Sequence, residues 1–186
     1  MTSNDLVWAA KWPNVPACYG WLSLDQRGDW RLQGERVTHR GLIAFMNRQY
    51  SSDESGRWFV QNGPQRVYVD LAATPWVFRR DGEALLAHTG QPAGELRHIY
   101  LDEAGRFLLA TSLGLGLLDD RDLPGVIDEC RDDTGQAASP AQWMSLFEGQ
   151  DVRIFWRGLR IEPFAAVDRD QYGNFVAQPR AAPDEG

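Results

Sequence analysis

Asp25-Gln-Arg-Gly-Asp-Trp30 is the first of four stretches that share the pattern Asp-x-x-Gly-x-aromatic. The others are DESGRW at 53 to 58, DEAGRF at 102 to 107 and DQYGNF at 170 to 175. The aspartate carboxylate can accept bonds from backbone N–H groups one or two residues on, and the glycine can take the left-handed φ that closes a hairpin. The aromatic residue then opens the return strand. Each copy therefore predicts a turn between two antiparallel strands.

The residues around the first two copies predict a small β-rich unit with one helix. Strands are expected on both sides of the first turn, and a helix from an N-cap at Thr38 to about Tyr50. Asn62-Gly63 is the strongest short hairpin signal in the chain. Residues 65 to 71 then alternate, which is typical of a half-buried strand. A further strand is expected from Trp76, after the break at Thr74-Pro75.

The second half repeats these ingredients. Strands flank the third turn, and Ser139-Pro140-Ala141-Gln142 predicts the start of a helix near 140–148. Two more strands are expected around Arg157-Gly158. The sequence assigns no helix or strand to residues 113 to 139.

Together these patterns predict an α+β fold, mainly antiparallel β, of two small similar domains. The expected domains are residues 18–86 and 95–176, with a turn or linker at 90 to 94 and an insertion in the second domain between about 113 and 139. Chance is the competing explanation of the four turns, because Asp, Gly and aromatic residues are common in such places.

Composition excludes several classes of protein. The chain has 186 residues and a net charge of −7, which disfavours binding to a nucleic-acid backbone. There is no apolar run long enough for a signal peptide or a membrane span, so neither a membrane nor a secreted location is expected. The two cysteines, Cys18 and Cys130, lie far apart and lack metal-ligand spacing. A cytoplasmic protein is expected.

No pattern predicts catalysis, a metal or a cofactor. A calcium loop needs several alternating oxygen ligands, and only Asp168-Arg-Asp170 has two carboxylates in alternation. The three histidines show no ligand spacing, and Ser and Cys lack a nucleophile context. Gly114-Leu-Gly116 lacks the rest of a phosphate loop, so a tight turn is the simpler explanation.

One cluster has the chemistry of a ligand site. Asn62, Arg66, Tyr68 and Trp76 lie in or near one hairpin, where aromatic rings could stack on a planar ligand while the guanidinium holds its anionic part. The simpler interpretation is that Arg66 and Tyr68 form the solvated face of a strand.

Part of the chain resembles a known family. The run from Trp12 to Arg80 is similar to an uncharacterised proteobacterial domain family of unknown function, and the similarity lies in WPNVPACYGWLSLDQRGDWRLQGERV, LIAFMNRQY, GRWFVQNGPQRVYVD and TPW. It also resembles, more weakly, a second uncharacterised bacterial family with a duplicated two-domain core and a pleckstrin-homology-like C-terminal half. That resemblance implies a nucleotide-like ligand at the domain junction and a role in signalling.

The sequence thus predicts a non-enzymatic ligand-binding or regulatory module that holds a small planar, nucleotide-like molecule near the domain junction. The alternative is a protein–protein interaction module that uses exposed tryptophans and β edges.

Overall fold

The computed structural model describes residues 15–165, 171–172 and 174–181. Within these residues the chain forms three helices and fourteen strands, and the strands make two sheets. The chain divides into two compact units. Among the described residues, the first unit contains 15–75, 88–90 and 174–181, and the second contains 76–87, 91–165 and 171–172.

The first unit is a sheet of six described strands with one helix. The strands are β1 (Ala17–Leu24), β2 (Trp30–Leu32), β3 (Glu35–Arg36), β4 (Tyr50–Ser52), β5 (Trp58–Asn62) and β6 (Gln65–Leu71). Their order is β3-β2-β1-β6-β5-β4, in which only the central pair β1–β6 is parallel. Helix α1 (Arg40–Gln49) connects β3 to β4 and contacts β5.

Helix α1 forms because its apolar residues recur on one face. Leu42 and Met46, one helical turn apart, are buried. Its N-cap is His39, whose Nδ1 accepts a bond from the Leu42 N–H at 3.2 Å. The expected cap, Thr38, lies one residue earlier, so the helix is where the sequence predicted it and the capping residue is different.

A segment from the far end of the chain completes the first unit. The Val176 N–H donates to the Gly56 carbonyl at 2.8 Å, and the Leu71 N–H donates to the Ala177 carbonyl at 2.7 Å. Arg180 forms an ion pair with Asp70 at 2.9 Å. Residues 174–181 therefore belong to this unit although they follow the second unit in sequence.

The second unit has eight described strands and two helices. The strands are β7 (Trp76–Asp81), β8 (Ala84–Ala87), β9 (Leu96–Leu101), β10 (Phe107–Thr111), β11 (Gly114–Leu118), β12 (Arg131–Asp132), β13 (Ile154–Trp156) and β14 (Leu159–Pro163). Their order is β12-β13-β14-β9-β10-β11-β7-β8, with parallel pairs at β14–β9 and β11–β7. Helix α2 (Leu123–Glu129) precedes β12, and α3 (Pro140–Phe147) lies between β12 and β13.

The two units share one plan. In each, a three-strand meander, a helix and a second three-strand meander follow in sequence, and the first and last strands pair in parallel at the centre. The register also agrees. Leu24 lies opposite Leu71 and directly precedes Asp25, and Leu101 lies opposite Pro163 and directly precedes Asp102. The predicted α+β, mainly antiparallel fold of two similar halves is confirmed.

The second unit departs from this plan in two places. The hairpin β7–β8 is added at its edge, where β7 pairs with β11. From the sequence, these strands are expected in the first half, because no local pattern shows which sheet a hairpin joins. Helix α3 is the other addition. It follows residue 139, whereas the insertion was expected between 113 and 139. That interval instead contains β11, α2 and β12, which belong to the common plan. The limits 18–86 and 95–176, as independent domains, stay a prediction.

The aspartate turns have one geometry throughout the described residues. In the first, the Asp25 carboxylate accepts from the N–H groups of Arg27 and Asp29 at 3.0 and 2.9 Å, and the Gly28 N–H donates to the Asp25 carbonyl. Asp53 and Asp102 repeat these bonds. So does Asp132 in DDTGQA, where Ala137 stands in place of the aromatic residue. The sequence-based fourth copy is anchored on Asp170, which lies outside the described residues.

No helix in the described part of the chain is both long and apolar enough to span a membrane.

Candidate functional site

The structure separates the four residues that the sequence singled out. Arg66 and Tyr68 lie on one face of the first sheet, because they alternate with Val67 along β6. Asn62 pairs with Gln65 on the opposite face; it is buried and donates to the Gln65 side chain. Trp76 lies in β7 of the second unit and is 6% exposed. Within the first unit, Arg66 and Tyr68 are therefore neighbours on one face of the sheet, and Asn62 lies on the other.

A bulge shapes the surface around Tyr68. In the β1–β6 pair, Cys18 lies opposite Val67 but Leu22 lies opposite Val69, so β1 contains extra residues opposite Tyr68. Gly20 permits this irregularity with a φ of 70°. The bulge brings the Tyr19 ring flat against the Tyr68 ring, with centroids 4.5 Å apart and planes 5° from parallel. The corresponding β9–β14 pair has no such shift in register.

A half-buried ion pair adjoins this aromatic stack. Arg57 donates through Nε to the Asp53 carboxylate at 2.8 Å and through a terminal nitrogen to the Tyr19 hydroxyl at 3.3 Å. Its guanidinium carbon lies 4.8 Å from the Tyr68 ring centre. Burial alone would raise the pKa of Asp53, but the backbone and side-chain bonds from Arg57, together with its charge, lower that pKa below 3.8. The carboxylate is therefore ionised and held in place.

Arg66 provides positive charge on the same face. Its guanidinium carbon lies 4.7 Å from the ring centre of Phe59, which in turn packs edge-on against Tyr68. Arg66 is exposed, and among the described residues no carboxylate forms an ion pair with it. We call Tyr19, Arg57, Phe59, Arg66 and Tyr68 the tyrosine–arginine face. It combines a flat aromatic stack with an uncompensated guanidinium.

The opposite side of the first unit is an apolar core rather than a reaction site. Trp30 is 2% exposed and donates its indole N–H to Asn47 in α1 at 2.7 Å. Its ring packs edge-on against Tyr50 and His88. Burial lowers the pKa of His88 to about 3, so this imidazole is neutral at physiological pH. His88 is an aromatic member of the core.

The titratable groups do not form a catalytic arrangement in the described part of the chain. Burial raises the pKa of both the Cys18 and Cys130 thiols, which disfavours the thiolate needed for nucleophilic attack. The Trp156 indole bond, with an ion pair to Arg80, lowers the pKa of Glu129. No cluster of three or more potential metal ligands occurs among the described residues.

The sequence-based candidates include Arg66 and Tyr68 of this face but not Tyr19, Arg57 or Phe59. A signal for Tyr19 was present, because an isolated glycine inside a strand pattern indicates a bulge. Arg57 lies four residues after Asp53, and Arg106 bears the same relation to Asp102. That spacing, which the pattern Asp-x-x-Gly-x-aromatic omits, predicts an ion pair across the turn.

Comparison with known proteins supports the fold and names a family. Residues 4–180 match the family model described as "Protein of unknown function (DUF2946)". A crystal structure of a DUF1285 family protein from Silicibacter pomeroyi DSS-3 is similar at a TM-score of 0.53 and 13% identity, over 91% of this chain and 100% of that chain. At this identity the likeness shows the fold alone.

A second DUF1285 family structure, from Shewanella baltica OS155, is 11% identical with a TM-score of 0.39, over 56% of this chain and 88% of that chain. No curated protein matches the chain. The expected resemblance to uncharacterised families is confirmed, and the family match extends well beyond the N-terminal half in which the sequence analysis saw it.

Proposed function

The chain belongs to this family of proteins of unknown function, whose model matches residues 4–180, and we propose that it is a non-enzymatic ligand-binding module. Its ligand is a small planar anion, such as a nucleotide, and its site is the tyrosine–arginine face of the first unit. The observation that carries the proposal is the bulge at Tyr19 to Trp21, which has no counterpart in the central pair of the second unit. Bulges in strands commonly redirect side chains at binding sites.

The chemistry of the face supports a planar anion. Tyr68 is 3% exposed, whereas the Tyr19 ring stacked on it is half-buried, so Tyr19 is the more exposed ring of the pair. Stacking of a base on an aromatic ring contributes about 1–3 kcal/mol. Arg66 can pair with a phosphate in a bidentate geometry, whereas Arg57 is already engaged by Asp53. The aromatic stack and Arg66 thus have separate parts in recognition.

The alternative, a partner docked on exposed tryptophans and β edges, has less support. All six tryptophans among the described residues are buried or half-buried. The edge strands β3, β4 and β12 contain two or three residues each. The edge of β8 is covered, because the Ala87 N–H donates to Gln91 and the Ala93 N–H to Leu85. Short or covered edges are typical of sheets that avoid adding a strand.

A cytoplasmic location and a regulatory role are parts of the same proposal. Cys18 and Cys130 are both free and buried, as is usual in a reducing compartment. A module that binds a nucleotide without converting it would report the concentration of that nucleotide to a partner.

A thermal-shift titration with AMP, adenosine and inorganic phosphate tests the proposal. AMP is expected to raise the melting temperature most, since it alone has both the base and the phosphate. A ligand at a hundred times its Kd stabilises the native state by about 2.7 kcal/mol. Arg66→Ala should remove most of the AMP effect and leave the weaker adenosine effect unchanged. Tyr19→Leu should reduce both.

Arg153→Ala is the matched control, because Arg153 is also exposed but lies in the second unit. It should bind AMP as the unchanged chain does. The proposal is rejected if millimolar AMP causes no shift in protein freed of co-purified small molecules. It is also rejected if Arg66→Ala and Arg153→Ala behave alike.

A further inference from the structure

A cleft lies at the end of the central strand pair of the second unit. It has a volume of about 220 Å³ and is lined by the Asp102 turn, the end of β14 and helix α3. The lining residues are Leu101, Asp102, Glu103, Leu146, Phe147, Gly149, Pro163 and Phe164. The cleft therefore forms where α3, the addition to the common plan, covers the sheet.

Local contacts hold helix α3 in place on its side of the cleft. Ser139 and Gln142 form a complete capping box at the start of α3, and Pro140 occupies its first turn. Leu146 is buried, and the half-buried Trp143 packs on Phe107 with ring centres 6.0 Å apart. A Cβ at Gly105 would lie 2.5 Å from the Phe147 ring, so that ring rests directly on the turn.

An exposed apolar patch continues from the cleft along α3. Met144 is 60% exposed and Phe147 is 50% exposed, and they are one helical turn apart. These are the two most exposed of the five large apolar side chains that the described residues present to solvent. A contiguous apolar patch beside a cleft is typical of a protein-interaction site.

The charge around the cleft is negative. Asp102 and Glu103 line it, and Glu148 and Glu162 are the direct chain neighbours of lining residues. Among the residues that the structure describes, no basic residue lines the cleft or directly adjoins a lining residue in sequence. Asp102 is already paired with Arg106, whereas Glu103 is exposed. The rim therefore complements a positive charge.

The volume limits what enters. It lies below the 300–1,000 Å³ that is usual for a drug-sized ligand. One large side chain fits, and the patch outside the cleft then contacts the rest of the partner. The first unit offers a parallel, because at the corresponding end of its central pair Leu71 binds the extended segment at Ala177. Pro163, which takes the place of Leu71, has no N–H to donate.

We propose that this cleft, with Met144 and Phe147, docks a peptide segment of a partner protein through one aromatic side chain flanked by Lys or Arg. The aromatic side chain fills the cleft, and the basic residue lies against Glu103. Because Pro163 removes the backbone donor, the side chain rather than strand pairing carries the affinity. This proposal uses a different unit and a different chemistry from the nucleotide site, so either can fail without the other.

The test is an NMR titration of the full ¹⁵N-labelled chain with three short acetylated peptide amides. They contain Lys-Trp-Lys, Glu-Trp-Glu and Lys-Ala-Lys between glycines. Lys-Trp-Lys is expected to bind most tightly and to shift the amides of Gly105, Phe147 and Gly149. Phe147→Ala should weaken binding at least about fivefold. Glu103→Gln should weaken it about twofold and reduce its dependence on salt.

Ile127→Ala and Asp128→Asn are the matched controls, because they remove an exposed apolar and an exposed acidic side chain from α2 of the same unit. Both should bind Lys-Trp-Lys normally. Absence of binding at millimolar peptide overturns the proposal. So do equal affinities for Lys-Trp-Lys and Glu-Trp-Glu, or shifts that map away from α3 and the Asp102 turn. The unperturbed amide spectrum of each variant shows that it has folded.

Discussion

The first and second units follow one strand order, but they differ at the two places where candidate sites occur. The first has a bulge in its central pair, which brings Tyr19 onto Tyr68. The second has a regular central pair and an added helix, which forms the cleft. The features that the units share are above all the aspartate turns. In these turns the carboxylate already bonds the backbone N–H groups of its own turn and a nearby side chain. Function is therefore best sought where one unit departs from the other.

The largest expected effect concerns the indole that joins a helix to its sheet in each unit. Trp30 donates to Asn47 in α1, and Trp156 donates to Glu129 in α2, and both rings are at most 2% exposed. Trp30→Ala and Trp156→Ala should each reduce the free energy of unfolding by about 3–5 kcal/mol. Urea denaturation measures this. A loss below about 1 kcal/mol at either site would show that the two units do not depend on equivalent anchors.

The second prediction uses acid to separate the units. Burial in the core of the first unit lowers the pKa of His88 to about 3. As the pH falls below 6.5, this imidazole therefore becomes protonated in the unfolded chain while it stays neutral in the folded one. The stability that the neutral imidazole contributes is fully present above pH 6.5. It decreases steadily as the pH falls from 6.5 to about 3. Between pH 6 and 4 the free energy of unfolding should fall by about 1.4 kcal/mol per pH unit.

His88→Phe should flatten this dependence, which urea denaturation at several pH values measures. Amide exchange locates the effect, and the strands of the first unit should lose protection before those of the second. An unchanged pH slope in His88→Phe would contradict the assigned burial.

The third prediction compares three aspartate turns that have the same backbone hydrogen bonds. Asp53 and Asp102 each pair with the arginine four residues later, and their side chains are 11% and 10% exposed. Each of Asp53→Ala and Asp102→Ala should cost about 2–3 kcal/mol, because a charged bond network is lost. Asp132 accepts a bond from the Gln142 side chain instead of pairing with an arginine, so Asp132→Ala should reduce the free energy of unfolding by less. Denaturation of the three variants gives the order, and a larger loss at Asp132 would reverse the explanation.

The smallest effect concerns the helix found only in the second unit. Ser139→Ala removes the capping bond to the Gln142 N–H and should cost about 1 kcal/mol. Amide exchange should show faster opening of α3 and no change in α1. If α3 were unaffected, the capping box would not be what fixes the helix beside the cleft.

Local chemistry made much of the fold predictable. The turns at Asp25, Asp53 and Asp102, the Asn62-Gly63 hairpin and the capped helix at Ser139 were all expected, because each depends on residues within a few positions of one another. The turn at Asp132 was missed because the pattern required an aromatic residue where Ala137 stands. The bonds themselves need only the aspartate and the glycine.

Non-local pairing made the rest unpredictable. Nothing near Trp76 or Phe78 shows that β7 pairs with β11, because that choice depends on which edge is open in the folded sheet. Non-local pairing also decides which of the candidate site residues lie on the same face of a sheet. Asn62 and Arg66 are close in sequence, yet they lie on opposite faces of the first sheet, and Trp76 belongs to the second sheet. Tyr19 joins Arg66 and Tyr68 through a parallel pairing that spans the whole unit.

The segment at 174–181 has a consequence for how the protein is made. Strand β6 leaves the ribosome about a hundred residues before Asn174 does. At about 5–20 residues per second, the Leu71 N–H waits roughly 5–20 seconds for the Ala177 carbonyl. During synthesis the first unit is therefore finished last. A nascent chain passes through a period in which that end of its first sheet is open to chaperones.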